Sequence, residues 1–283
     1  PVLHVVRYRR KDLDRLIDAL NATGYGLTFG LHTRLDETIA HVTSRVRVGN
    51  IYVNRNIVGA VVGVQPFGGE GKSGTGPKAG GPLYLKRLQQ QQQIGLGGNV
   101  VYERKAPAAF EALLVWLKAN GHAAIAALGD QYAHNNPFGV TQLLPGPTGE
   151  RNTLAFVSRG HILCIANDLA CLLNQICASL ATGNKAVLSA DHMAKLPANL
   201  PAEVKAQLVQ AEYHQALAQV ALIQSDLTSQ YRQELAALEG AIVSVIPGTA
   251  AQALPLWRLV AERAVCVNTT AAGGNASLMT LAV

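Results

Sequence analysis

Cysteine is scarce in this chain, and the four present (Cys164, Cys171, Cys177 and Cys266) form no C-x-x-C pair and no metal-like spacing with histidine. A disulfide scaffold and a cysteine-built metal centre are therefore excluded as organising devices. Cys164, inside Ile162–Ala166, reads as a buried strand thiol, while Cys171 and Cys177 lie in an apolar helical pattern. Aromatic residues make up only 5% of the chain, and no stacking platform or recognition-helix pattern accompanies its basic residues. No stretch approaches the roughly 18 consecutive apolar residues of a membrane span. A charged start followed by an apolar signal core is also lacking, so the sequence reads as a soluble, cytoplasmic chain. There is no initiator methionine either: Pro1 opens directly into the apolar run Val2–Arg7, which reads as a strand and as a cut end.

What is present is enough apolar material for a sizeable core, 49% of residues against 15% charged. The net charge of +6 is uneven: residues 1–88 hold 13 Lys and Arg against 6 Asp and Glu, and the rest is close to neutral. Such a basic face is either solvated or faces an acidic partner outside this sequence. Strand and helix patterns alternate along the first 88 residues. Lys11–Asn21 carries Leu13, Leu16, Ile17 and Leu20 at helical spacing and stops at Gly24. Leu27–Thr33 reads as a strand, Asp36–Val46 as a helix with acids at its positive end, and Asn50–Asn54 as a strand. Gln89–Gln93 and Gly95–Gly98 look like a connector, followed by an amphipathic helix over Ala108–Lys118 and a turn-rich stretch, Asn135–Pro147.

From Thr148 the alternation resumes. Strands are expected at Leu154–Ser158, Ile162–Ile165, Ala186–Leu188, Gln219–Leu222, Ala241–Ile246 and the tail Leu278–Val283. Helices are expected at Asp168–Leu180, Ala202–Gln210, Ser229–Leu238 and Ala253–Glu262. This is an α/β succession of Rossmann type. No G-x-G-x-x-G opens a helix in it, so a dinucleotide is not expected here.

The densest signal is the loop Asn54–Pro82, with glycines at 59, 63, 68, 69, 71, 74, 76, 80 and 81. A backbone so poor in side chains can take positive φ and bring bare N–H groups to a carboxylate or phosphate. Gly71-Lys72-Ser73 is not a phosphate loop, because the position five residues before Gly71 is Pro66.

Pro1–Val6, Tyr25–Leu31, Gly49–Asn54 and Pro66–Gly69 with Ser73-Gly74 resemble, in order, the successive signatures of the C-terminal part of an aldehyde dehydrogenase catalytic domain. Gly59-Ala60, Gln65-Pro66 and Gly80–Pro82 are similar to its L-glutamate-γ-semialdehyde (pyrroline-5-carboxylate) dehydrogenase branch. Leu144–Thr153 and Val267–Thr280 resemble the C-terminal domain of the long forms of proline utilization A, fusions of proline dehydrogenase with that semialdehyde dehydrogenase.

The resemblance implies three segments: 1–88, the end of the catalytic domain; 89–143, a connector with a helix; and 144–283, a non-catalytic Rossmann-like domain with a terminal motif at 265–283. By position, Gly59 and Ala60 match the main-chain anchor for the substrate's α-carboxylate, and Phe67 matches the aromatic wall beside the aldehyde chain. A plain flexible loop and a core-filling Phe are the alternatives for these positions. The parent would use FAD to oxidise L-proline and NAD to oxidise L-glutamate-γ-semialdehyde to L-glutamate, whereas this chain alone is expected to bind neither cofactor and to be inactive. The family's nucleophilic cysteine, general-base glutamate and NAD-binding units are expected upstream of Pro1.

The C-terminal motif is implied to cover the passage carrying the intermediate between the two active sites; a simple edge-strand finish is the alternative. The expected partners are the upstream domains of the same polypeptide. The resemblance also leaves room for a homodimer and for peripheral membrane association of the parent. DNA binding is expected only through an N-terminal domain that this chain lacks. The competing reading of the whole is a structural or assembly module without substrate contact.

Overall fold

The computed structural model describes residues 2–89, 99–102, 105–212, 222–225 and 233–270. Helix α1 (Leu13–Ala22) buries Ile17, and the chain leaves it through Gly24 at φ +75°, a left-handed stop that glycine takes without a Cβ penalty. Strands β1 (Tyr25–Gly26) and β2 (Thr28–Leu31) precede helix α2 (Asp36–Arg45), whose first turn carries Asp36 and Glu37 as expected. Strand β3 (Asn50–Val53) is buried along its whole length. After the glycine loop with β4 (Glu70–Gly71) come the short helix α3 (Pro82–Lys86) and strand β5 (Asn99–Tyr102).

Two further helices, α4 (Ala108–Ala119) and α5 (Ala123–His134), form a layer; the second has no counterpart in the sequence reading. Strands β6 (Thr141–Leu144), β7 (Glu150–Ser158) and β8 (His161–Ile165) lead to helix α6 (Leu169–Ala181) and strand β9 (Lys185–Leu188). The chain continues through α7 (Ala190–Ala194), α8 (Ala202–Lys205), β10 (Leu208–Gln210), β11 (Leu222–Ser225) and β12 (Ser244–Pro247) to β13 (Val260–Asn268).

Among the described residues these strands make two large sheets of an α/β fold. One is parallel throughout, in the order β10-β9-β8-β11-β12, the doubly wound arrangement expected of a Rossmann-like unit. Its strands alternate by parity: Ile162, Cys164, Ala186 and Leu188 pack into the core under α4, α5 and α6, while Leu163 and Val187 face Leu235, Val243 and Val245 on the other side. The second sheet has the order β2-β3-β13-β7-β6-β5 and is mixed. In it β13 runs parallel to β3 and antiparallel to β7, so residues 260–268 join the same sheet as residues 28–53.

Several expectations are corrected. Val2–Arg7 forms no strand and is exposed, because β-propensity yields a strand only where a partner backbone takes up its hydrogen bonds. The expected helix over Ala202–Gln210 stops at Lys205, and its last residues form β10 on β9. Ala253–Glu262 is not a helix: a 3₁₀ turn at Leu256–Arg258 follows Pro255, and Val260 begins β13, which is buried between two strands. Position 219 to 221 of one expected strand, positions 229 to 232 of one expected helix and the tail strand Leu278–Val283 lie outside the described residues. Among those described, no helix is long and apolar enough to cross a membrane.

Phe156 on β7 is fully buried in a cluster with Leu83, Leu154, Trp257 and Ala264, which joins the mixed sheet to α3. Phe156→Ala should cost about 3–5 kcal/mol through lost transfer energy and a cavity. Urea unfolding followed by far-UV circular dichroism should register it as an earlier transition.

Candidate functional site

The glycine loop begins where β3 ends. Asn54 adopts φ +55°, an uncommon conformation for a residue with a Cβ, and its carboxamide holds the backbone of Thr33 at both the N–H (3.0 Å) and the carbonyl (3.0 Å). The next residue, Arg55, donates to Glu150 Oε1 at 2.8 Å, approaches Cys266 Sγ at 3.0 Å, and lies 5.2 Å from the Tyr52 ring centroid. At the far side of the loop, Gln65 is buried. Its Oε1 accepts from the Val61 amide at 2.9 Å, and its Nε2 reaches Glu150 (3.3 Å), Asn152 (3.4 Å) and Cys266 (3.3 Å). The loop therefore stands on a buried polar base that β7 and β13 supply.

Gly59 and Ala60 project from this base. Gly59 has φ +71°, and a Cβ placed on it would meet no atom within 4 Å. Among the described residues, neither the Gly59 nor the Ala60 amide donates a hydrogen bond, although the neighbouring Val58 and Val61 amides do. These two N–H groups are the open donors that a backbone anion grip requires. Phe67 sits on the same loop beyond Gln65. It is half-buried and pairs its backbone with Ala79 at 3.0 and 2.9 Å. Gln65 and Asn54, polar residues without a role in the sequence reading, are the scaffold of the loop.

A second buried set went unnoticed in the sequence. Asn50 on β3 donates to the Pro66 carbonyl (2.9 Å) and accepts from the Gly68 amide (3.1 Å) and from Lys78 Nζ (3.0 Å). Lys78 Nζ also donates to the Gly68 carbonyl, and the Lys78 amide donates to Glu262 Oε2 at 2.6 Å. Gly49 allows this close packing, since a side chain there would overlap the Gly68 carbonyl. Burial pulls the Lys78 pKa down to about 8, with the Glu262 and Glu70 charges opposing. Burial also pushes the Glu262 carboxyl up. The available signal was a lone acid in the apolar strand Val260–Asn268 and a lysine among glycines.

None of the four thiols is a ready nucleophile. None forms a disulfide, all are buried, and burial pushes Cys266 up and Cys177 up to about 12. Nor do the residues after β8 fit a dinucleotide. Asp168 caps α6 by accepting from the Cys171 amide at 2.7 Å, which sets a carboxylate where a pyrophosphate would need bare amides. Among the described residues no group of three or more His, Cys, Asp or Glu is placed to hold a metal.

Residues 1–94 match the aldehyde dehydrogenase family. Over 99% of its length the chain is 48% identical to the bifunctional protein PutA of Salmonella typhimurium and 47% identical to that of Escherichia coli. It is also 46% identical over 85 residues, 30% of its length, to 1-pyrroline-5-carboxylate dehydrogenase of Bacillus subtilis. The solved structure of proline utilization A from Corynebacterium freiburgense matches 90% of the chain with a TM-score of 0.60 and 25% identity. The chain spans about a quarter of these relatives, 23% of the two PutA sequences and 24% of the solved chain.

The Lys78 environment has a measurable pH signature. Its ammonium has a pKa near 8 in the fold and near 10.5 when unfolded, so the unfolded chain binds more protons between those values. This contribution makes the fold more stable as pH rises from about 8 to 10.5, by up to about 1.4 kcal/mol per pH unit. Denaturant midpoints measured at pH 8 and pH 10 should show a smaller rise, or a larger fall, for Lys78→Met than for the natural protein. Equal slopes would reject the assignment.

Proposed function

We propose that this chain is the portion of a proline-catabolic enzyme that anchors L-glutamate-γ-semialdehyde for oxidation to L-glutamate. In this reading the Gly59 and Ala60 amides hold the α-carboxylate, since charge-assisted bonds from backbone N–H groups are short, strong and need no side chain. Ala60 carries no hydroxyl, so the grip is made by main chain alone. Phe67 lines the aldehyde chain, excludes water and aligns the carbonyl for attack. The single observation that carries the reading is the pair of open amides at a left-handed glycine, raised on buried Gln65 and half-buried Glu150 and Arg55.

The attacking thiolate is assigned to another portion of the polypeptide, because every cysteine here is buried. Bound to other portions of the polypeptide, NAD would supply a hydride acceptor for the aldehyde and FAD an electron acceptor for proline. Residues 144–283 then act as a non-catalytic domain covering the intermediate's passage, with the 265–283 motif as its cap. The upstream domains are the chain's principal partners.

Gly59→Val tests the anchor in the full-length polypeptide. A β-branched residue at φ +71° is strained by roughly 1–3 kcal/mol and displaces the amides. Semialdehyde oxidation should lose about tenfold or more in kcat/KM, chiefly through KM, with proline oxidation unchanged. Unchanged semialdehyde kinetics would instead favour a purely structural or assembly role.

A further inference from the structure

A separate cleft opens between the loop at residues 74–78, the end of α3 and the turn that leads into β13. Three guanidinium groups line it, from Arg87, Arg159 and Arg258. Arg159 donates through Nε to the Val260 carbonyl (3.0 Å) and through Nη2 to the Thr75 carbonyl (3.3 Å), and Arg87 Nη1 donates to the Gly76 carbonyl (2.8 Å). These bonds to neutral carbonyls fix Arg159 and Arg87 in place without an ion pair. Among the described residues none of the three has a carboxylate within ion-pair distance.

Two acids also border the cleft. Glu70 faces Arg263 at 3.6 Å, and Glu262 accepts from the Lys78 amide. Counting Lys78, which also lines it, the cleft holds four cations and two carboxylates. Burial lowers the Arg159 pKa, with Glu70 and Glu262 opposing and Arg258 and Arg87 lowering it further; burial and then the Arg87 charge lower that of Arg258. Trp257 closes one wall and is nearly fully buried, so water is partly excluded on that side.

We propose that this cleft is an anion-binding site for a small dianion, a phosphate group or a dicarboxylate. The excess of two positive charges sets the ligand charge, and planar guanidinium forks suit paired oxygen acceptors. The site is distinct from the Gly59–Ala60 loop, where main-chain amides rather than side-chain cations would make the grip.

The test uses the full-length polypeptide, with inorganic phosphate and glutarate titrated separately at constant ionic strength, which removes general screening. The thermal unfolding midpoint should rise saturably with at least one of them, and the stronger of the two identifies the ligand class. Arg258→Gln and Arg87→Gln should each weaken the apparent affinity about tenfold, the loss of one charge-assisted contact. Arg87 is exposed and bonds only through the Gly76 carbonyl, so its variant tests the site even if the Arg258 variant folds poorly. Absence of saturable stabilisation by either anion, or equal stabilisation of the natural protein and the Arg87 variant, would overturn the proposal.

Discussion

Strand β13 is hydrogen-bonded on one side to β3 and on the other to β7, over a register that runs unbroken from Val260 to Asn268 on the β7 side. A strand paired on both edges cannot shift by one residue without turning its buried side chains to the wrong face and orphaning backbone donors. Because that register is locked, the even-numbered side chains of β13 meet the glycine loop: Glu262 accepts the Lys78 amide and Cys266 lies against Gln65 and Arg55. The odd-numbered Val265 and Val267 join Ile51 and Val53 in the core on the opposite face. The C-terminal part of the chain thereby completes the floor beneath a loop that belongs to the first third.

The uneven charge of the sequence is partly explained by the same topology. Arg45 finds Asp14 and Asp18 within its own third, whereas Arg55 is paired with Glu150, and the Lys78 backbone amide bonds Glu262, from the other side of the chain. Exposed pairs such as those of Arg45 contribute little to stability. The half-buried Arg55–Glu150 pair matters more, since removing one partner leaves a charge without compensation in a poorly solvated place. Two places carry open donors by different means, the main-chain amides of Gly59 and Ala60 and the guanidinium groups of Arg87, Arg159 and Arg258 in the cleft.

Much of the α/β order was legible beforehand. Helices α1, α2, α4 and α6 follow from apolar periodicity with a recognisable stop or cap, and strands β2, β3, β7, β8 and β9 from short β-rich runs between turns. The failures share one physical cause. Val2–Arg7 and Ala253–Glu262 were judged on local pattern, yet whether each became a strand depended on a partner remote in sequence. The same holds for the site: glycines announced an accessible backbone, but Asn50, Lys78 and Glu262 gave no local sign that they would meet.

The amino-acid sequence by itself determined much of the alternating order of elements and the glycine-rich character of the loop, because these follow from residue type and near-neighbour spacing. Only the tertiary structure decided that β13 returns to the first sheet, that Gln65 and Asn50 are scaffold, and that three arginines share one cleft. Those outcomes depend on contacts between residues separated by up to two hundred positions, where burial and backbone pairing outweigh any local preference.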